Sequence, residues 1–176
     1  MIVRTMVETP LGPFTIFSGD AGVVRTIFGE ERPEDGLALD VTEDRRRAVS
    51  IRREVDAYFD GTLRAFETPA DLSGMGDGFG RRVLETVRTI PYGQMWTYGD
   101  VAAAAGGVRA GRAAGSALSR CPIELYVPCH RVVRAGPRLG SYGRHDERRR
   151  FLLRLEGALT DQISSPKISS PKTSSP

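Results

Sequence analysis

The chain has 176 residues, 40% of them apolar, and a formal net charge of +3. That length suffices for one ordinary domain or two small ones with a real core, and no run of about eighteen apolar residues exists to span a membrane. The opening MIVRTMVETP lacks the basic-then-apolar profile of a secretory signal, and two cysteines cannot build a disulfide framework, so a cytoplasmic protein is expected.

The first thirty residues read as strands. IVRTMVET, FTIFSG and VVRTIFG are short, β-rich and punctuated by Pro and Gly, which predicts an antiparallel meander. An acidic loop follows over residues 30–40. Thr42 is then expected as a helix N-cap, with Ala48, Ile51, Val55, Tyr58 and Phe59 on one apolar face and Gly61 at the end. Together these make a small α/β domain over residues 1–72.

SGMGDG, residues 73–78, has the glycine content and polarity of a linker. Phe79, Val83, Leu84 and Val87 mark the next helix, which must stop before Pro91. TYGDVAAAAGG and VRAGRAAGSALSR read as two short helical runs joined at Gly106-Gly107, the spacing of a helix-turn-helix. The second run is almost bare of side chains. A major-groove reader carries Gln, Asn or Arg there; small residues with Arg109 and Arg112 suit either a sequence-indifferent, minor-groove approach or close helix packing. IELYV reads as a strand running into Pro128-Cys129. The final helix opens near Asp146-Glu147, with Phe151, Leu152 and Leu155 as its apolar face, and closes at Glu156-Gly157. The serine- and proline-rich residues 161–176 are expected to be a disordered tail.

Charge is segregated along the chain. Residues 1–78 hold nine Arg against fifteen Asp and Glu, a net of −6, whereas residues 79–160 hold fourteen Arg against six, a net of +8. A basic half beside an acidic half points to one module meeting a polyanion; arginine-rich composition alone does not explain the segregation.

VPCHRVV, residues 127–133, places one of two cysteines beside one of two histidines. Cys129 can be a small buried apolar group or a nucleophilic thiolate, which needs a positive or proton-accepting partner. The four Cys and His lack the paired spacing of a zinc site. Adjacent strand residues point to opposite faces, so Cys129 and His130 cooperate only if the chain turns there or a water links them; Pro128 breaks the strand at that place. A histidine base also needs an orienting acid, for which Glu156 is one candidate among 22 acidic residues.

IPYG (90–93), Tyr98, GRAAG (111–115), VPCHRVV, SYG and FLLRLEG (151–157) follow one another as in the O6-alkylguanine-DNA alkyltransferases, which residues 1–159 therefore resemble. The resemblance implies an N-terminal ribonuclease-H-like α/β domain and a C-terminal helix-turn-helix, winged-helix-like domain (residues 79–160) bearing the active site. It implies irreversible, stoichiometric transfer of the O6-alkyl group of guanine to Cys129, with possible substrates extending to O4-methylthymine. The proton would leave Cys129 through water to His130, oriented by Glu156. Tyr98 would turn the phosphate backbone and protonate N3 of the base. Arg112 would fill the stack left by a flipped guanine, with Ala110, Ala113 and Gly115 against the minor groove of double-stranded DNA. Tyr142, Gly143 and Val132 would line the base pocket. The resemblance implies no metal, no cofactor, no membrane partner and a monomer.

Three positions depart from that pattern: Cys121 stands where the family's loop-tethering Asn precedes Pro, Glu124 replaces a neutral residue, and Arg144 replaces a Gly. Rival functions are a lesion-recognition protein without transfer, a cysteine hydrolase, which needs an oxyanion hole and turnover, and a transcriptional regulator.

Overall fold

The computed structural model describes residues 1–29, 41–42, 44–135 and 145–159. The expected acidic loop, the Tyr142, Gly143 and Arg144 segment and the tail lie outside them. The chain divides into two compact units, residues 1–74 with 122–126, and residues 75–121 with those from 127 onward. Among the described residues no helix is long and apolar enough to cross a membrane.

The first unit is built on the expected meander. Strands β1 (Ile2–Thr9), β2 (Gly12–Gly19) and β3 (Gly22–Phe28) pair antiparallel in sequence order. On β1, Val3, Thr5 and Val7 are buried while Arg4, Met6 and Glu8 face out, the period of two that a half-covered strand requires. A fourth strand, β4 (Val41–Thr42), extends the sheet parallel to β1 and gives the order β3-β2-β1-β4. Thr42 is therefore a strand residue and not the N-cap of α1 (Arg45–Phe59). Asp44 takes that role, its carboxylate accepting the Arg47 N–H at 3.0 Å, because it stands immediately before the helix, within reach of the free first-turn donors.

Ile51, Val55 and Tyr58 are buried on α1, as the spacing predicts, whereas Ala48 and Phe59 are only half-buried. The same face also buries Glu54, whose two oxygens accept the backbone N–H of Thr68 at 3.1 Å and its hydroxyl at 2.5 Å. Those bonds satisfy a charge that an apolar face otherwise excludes.

The outer edge of β3 is covered by two irregular stretches. Val23 bonds to Pro69 and Asp71 through its own N–H and C=O, at 2.8 and 2.7 Å. Farther along, the N–H of Thr26 donates to Pro122 O at 2.8 Å. IELYV is therefore not a strand: Leu125 has φ +75, which breaks an extended run, and residues 122–126 pack with the first unit through Thr26 and through Tyr126, whose ring lies tilted against Phe66 with centroids 4.3 Å apart.

In the second unit, α2 (Phe79–Arg88) buries Val83, Leu84 and Val87. The short strands β5 (Trp96–Thr97) and β6 (Val132–Val133) pair in parallel, Trp96 opposite Val132. Thr97 and Asp100 form a reciprocal capping box at the start of α3 (Tyr98–Ala104). The second helical run begins later than expected: α4 spans Gly111–Leu118, because Arg109 sits in the left-handed region at φ +66 and cannot propagate a right-handed helix. The apolar face of α5 (Asp146–Leu155) is also rotated from its expected phase. Leu152 and Leu153 are buried while Phe151 and Leu155 are half-buried, since Leu153 joins Met95 and Val133 in one core cluster.

Gly22 supplies a direct test of the β3 edge. Its φ is +135 and an added Cβ would lie 2.2 Å from Pro69 O, a backbone atom that cannot move aside. Gly22→Ala is expected to cost about 2 kcal/mol or more in urea unfolding, whereas Gly74→Ala, with nothing near its Cβ position, is expected to change stability little.

Candidate active site

The adjacency of Cys129 and His130 is resolved by two successive tight turns. Pro128 has φ −78 and ψ +64, and the Cys129 N–H bonds back to Val127 O at 2.7 Å. This is an inverse γ-turn, whose φ the proline ring pre-sets. Cys129–Arg131 then form one turn of 3₁₀ helix, with Arg131 N–H on Pro128 O at 2.9 Å. In such a turn successive side chains leave about 120° apart rather than on opposite faces. Cys129, His130 and Arg131 are all buried.

Glu156 caps the C-terminus of α5, and its side chain is fully buried. His130 Nε2 lies 2.8 Å from its Oε1. Arg131 forks onto the same carboxylate, Nη2 to Oε1 at 2.8 Å and Nε to Oε2 at 2.9 Å, while its Nη1 donates to Ile90 O at 2.6 Å. A fourth donor, Gly93 N–H, reaches Oε2 at 3.3 Å. Burial by itself would push this carboxyl up; its charge interactions and hydrogen bonds with His130 and Arg131 more than offset it and hold the group well below the ordinary carboxylate range. An ionised carboxylate only accepts, so Nε2 carries its proton and, in the neutral ring, Nδ1 is the nitrogen able to receive one.

The IPYG stretch is the mould for this group. Tyr92 Oη donates to Leu155 O at 3.1 Å, and the Arg131 guanidinium lies 5.8 Å from the centre of the Tyr92 ring. Gly93 has φ +78, and a Cβ there would stand 2.9 Å from Glu156 O. Sequence reasoning assigned no role to Arg131, Tyr92 or Gly93. Their signal was present in the order of the motifs, but only the fold brings IPYG, CHR and LEG together.

Tyr98 opens α3 and is half-buried. Burial pushes its phenol up, the Arg149 and Arg134 charges pull it back, and Cys129 adds a smaller upward push, leaving it above the ordinary tyrosine value. It is therefore protonated at neutral pH. The bare helix α4 serves Tyr98 directly: Cβ positions at Gly115 lie 3.7 Å from its ring and at Gly111 3.9 Å from its backbone. Ala114, Ala117 and Leu118 form the buried side of α4, and Arg112, Ala113 and Ser116 its exposed side. Close packing and an open face thus coexist on one helix. Ala110 is its half-buried N-cap.

Val132 is fully buried within β6, and Tyr142 and Gly143 lie outside the described residues. Cys121 is half-buried, and its N–H bonds to Leu118 O at 3.1 Å. Glu124 is half-buried in the first unit, its carbonyl accepting the Thr26 hydroxyl at 3.0 Å. Among the described residues no group of three or more His, Cys, Asp or Glu could hold a metal ion.

The carboxylate of Glu156 makes stability depend on pH. Its folded pKa lies below its unfolded one, so the stabilisation is fully present above about pH 4.3 and drains as pH falls below that value. Glu156→Gln leaves the Arg131 and His130 donors without a counter-charge and is expected to cost about 3 kcal/mol at pH 7. In urea unfolding from pH 8 to pH 3, the gap between wild type and variant is expected to narrow below about pH 4.3.

With that geometry in place, the relatives are informative. Residues 2–72 match the ribonuclease-like domain of 6-O-methylguanine DNA methyltransferase, and residues 78–158 match its DNA-binding domain. The chain is 33% identical over 151 residues to the methylated-DNA–protein-cysteine methyltransferase of Methanosarcina acetivorans, covering 86% of this chain and 96% of that protein. It is 35% identical over 156 residues to the protein of the same name from Mycobacterium tuberculosis, covering 89% and 93%. The crystal structure of Mycobacterium tuberculosis OGT in complex with DNA matches with a TM-score of 0.76 at 34% identity, covering 88% of this chain and 92% of that one. This chain, with its N-terminal sheet domain and its helical C-terminal domain, belongs to the 6-O-methylguanine DNA methyltransferase family.

Proposed function

We propose that the chain repairs DNA by direct reversal, moving the O6-methyl group of guanine onto Cys129 once and irreversibly. The observation that carries this reading is the buried His130–Glu156 contact at 2.8 Å, on a turn that begins with the cysteine itself. The ionised Glu156 fixes the His130 ring with Nδ1 as proton acceptor. His130 takes the Cys129 proton, through one water, and the thiolate Sγ attacks the methyl carbon as the bond from that carbon to O6 breaks.

The electron pair of that bond passes into the guanine ring. Tyr98, a phenol protonated at neutral pH, donates to N3 so that guanine leaves uncharged. The imidazolium of His130 returns the proton to solvent, from which Tyr98 is reprotonated, and the products are S-methylcysteine and guanine. Arg112, on the exposed side of α4, enters the minor groove and occupies the gap in the stack when the alkylated base is flipped out. The protein acts as a monomer, in the cytoplasm, without metal or cofactor.

The test is incubation with duplex DNA carrying one O6-methylguanine, followed by the intact mass and tryptic peptides of the protein. One methyl group per chain on the Cys129 peptide, without turnover, is expected. Unmodified protein that retains the lesion duplex would replace this reading with lesion recognition alone. Cys129→Ser is expected to abolish transfer while keeping the duplex bound. Arg112→Ala is expected to slow transfer about tenfold to a hundredfold, the few kcal/mol of holding a base out of the stack, with a smaller effect on DNA bearing a mismatch at the lesion.

A further inference from the structure

We infer that the outward face of α1 is a further DNA-contacting surface, which holds the phosphate backbone of a duplex through Arg45, Arg46, Arg52 and Arg53 without reading its sequence. The inference rests on the DNA binding in the proposed function and not on its transfer step.

Residues 1–78 are acidic as a whole, yet five of their nine arginines fall on α1. Four of those five, Arg45, Arg46, Arg52 and Arg53, are exposed. Helical spacing sets them on the side opposite the buried Glu54 and Tyr58. Arg45 and Arg52 form one row and Arg46 and Arg53 the next, with the short side chain of Val49, 52% exposed, between the rows. Within each row the two arginines are two turns apart, about 10 Å along the axis.

Ion pairing is open to this helix, and the outward face does not use it. Arg47, at the margin of the buried side, meets Asp20 Oδ1 at 2.8 Å and Asp44 Oδ2 at 3.8 Å. Among the described residues the guanidinium groups of the four exposed arginines meet no carboxylate. Of the two acids on α1, Glu54 is turned inward onto Thr68. Asp56 is exposed, four residues from Arg52 and three from Arg53, and pairs with neither. Helix stability does not account for the arrangement either. The first turn of α1 opens with three arginines and holds no acid, the reverse of what the helix dipole favours.

Four unneutralised cations on one face complement an anionic partner outside the chain. A duplex backbone is the polyanion that this family meets, and its charge spacing suits the face. Phosphates of one strand rise by about 3.4 Å each, so cations about 10 Å apart meet phosphates about three steps apart and do not compete for one. The face carries no Asn or Gln, so it has little with which to read base edges.

The test compares wild type with a variant in which all four arginines become glutamine, and with one in which all four become lysine. Affinity for a lesion-free duplex is measured against KCl concentration, together with the rate of methyl transfer at saturating O6-methylguanine duplex and stability in urea. The glutamine variant is expected to bind at least about tenfold more weakly near physiological salt, with a log–log salt slope flatter by about 3, since each phosphate contact contributes about 0.9. Its stability is expected to equal or exceed that of wild type, and its saturating transfer rate to be unchanged. The lysine variant keeps the charge and is expected to keep the slope. Wild-type affinity and slope in the glutamine variant would overturn the inference and leave the face to an acidic protein surface. A weakening that the lysine variant shares, or that accompanies lost stability, would also overturn it. If wild type binds the duplex but moves no methyl group, the transfer reading falls, and the salt slopes alone decide this one.

Discussion

One carboxylate, removed from water and surrounded by donors, organises the second unit. Glu156 receives His130, both arms of the Arg131 fork and the Gly93 amide. Taking an ion out of water costs several kcal/mol, and only well-placed, hydrogen-bonded counter-charges recover it. The surrounding sequence is accordingly restrictive. Arg131 needs the planar fork that lysine lacks, Gly93 needs to be without a Cβ, and α5 must end at Glu156 so that its carboxylate points back toward the 3₁₀ turn. The same arrangement leaves the histidine in a single tautomer, so a structural constraint and a chemical requirement coincide.

Small residues have a related purpose on the opposite side of the site. Gly111 and Gly115 let α4 approach the backbone and ring of Tyr98, and Ala114 and Ala117 close the buried side of the helix. What remains on the open side is Arg112 among Ala113 and Ser116, a single long cation on a low surface. Such a surface approaches a backbone closely and carries no base-reading code.

The division into units does not follow chain order. Residues 122–126 leave the second half of the sequence, cover an edge of the first unit's sheet and return three residues before the nucleophile. Covering that edge blunts a strand otherwise open to pairing with another chain.

Much of this was legible in the sequence. β-rich runs punctuated by Pro and Gly marked β1, β2 and β3, and apolar residues at helical spacing marked α1 and α2. Pro-Cys-His-Arg, read with the motifs flanking it in order, pointed to the family and to the candidate site. The failures share a cause: local pattern does not contain long-range pairing. Thr42 looked like a cap until β1 offered it a strand partner, FLLRL could be phased on α5 only once Met95 and Val133 claimed Leu153, and IELYV had the composition of a strand but found its hydrogen bonds on Thr26, nearly a hundred residues away. The choice of Glu156 from 22 acidic residues came from resemblance and not from spacing. Residue type and order determined which chemistry was available; tertiary structure alone decided which carboxylate lost its water, because desolvation depends on every neighbour at once and on no single stretch of chain.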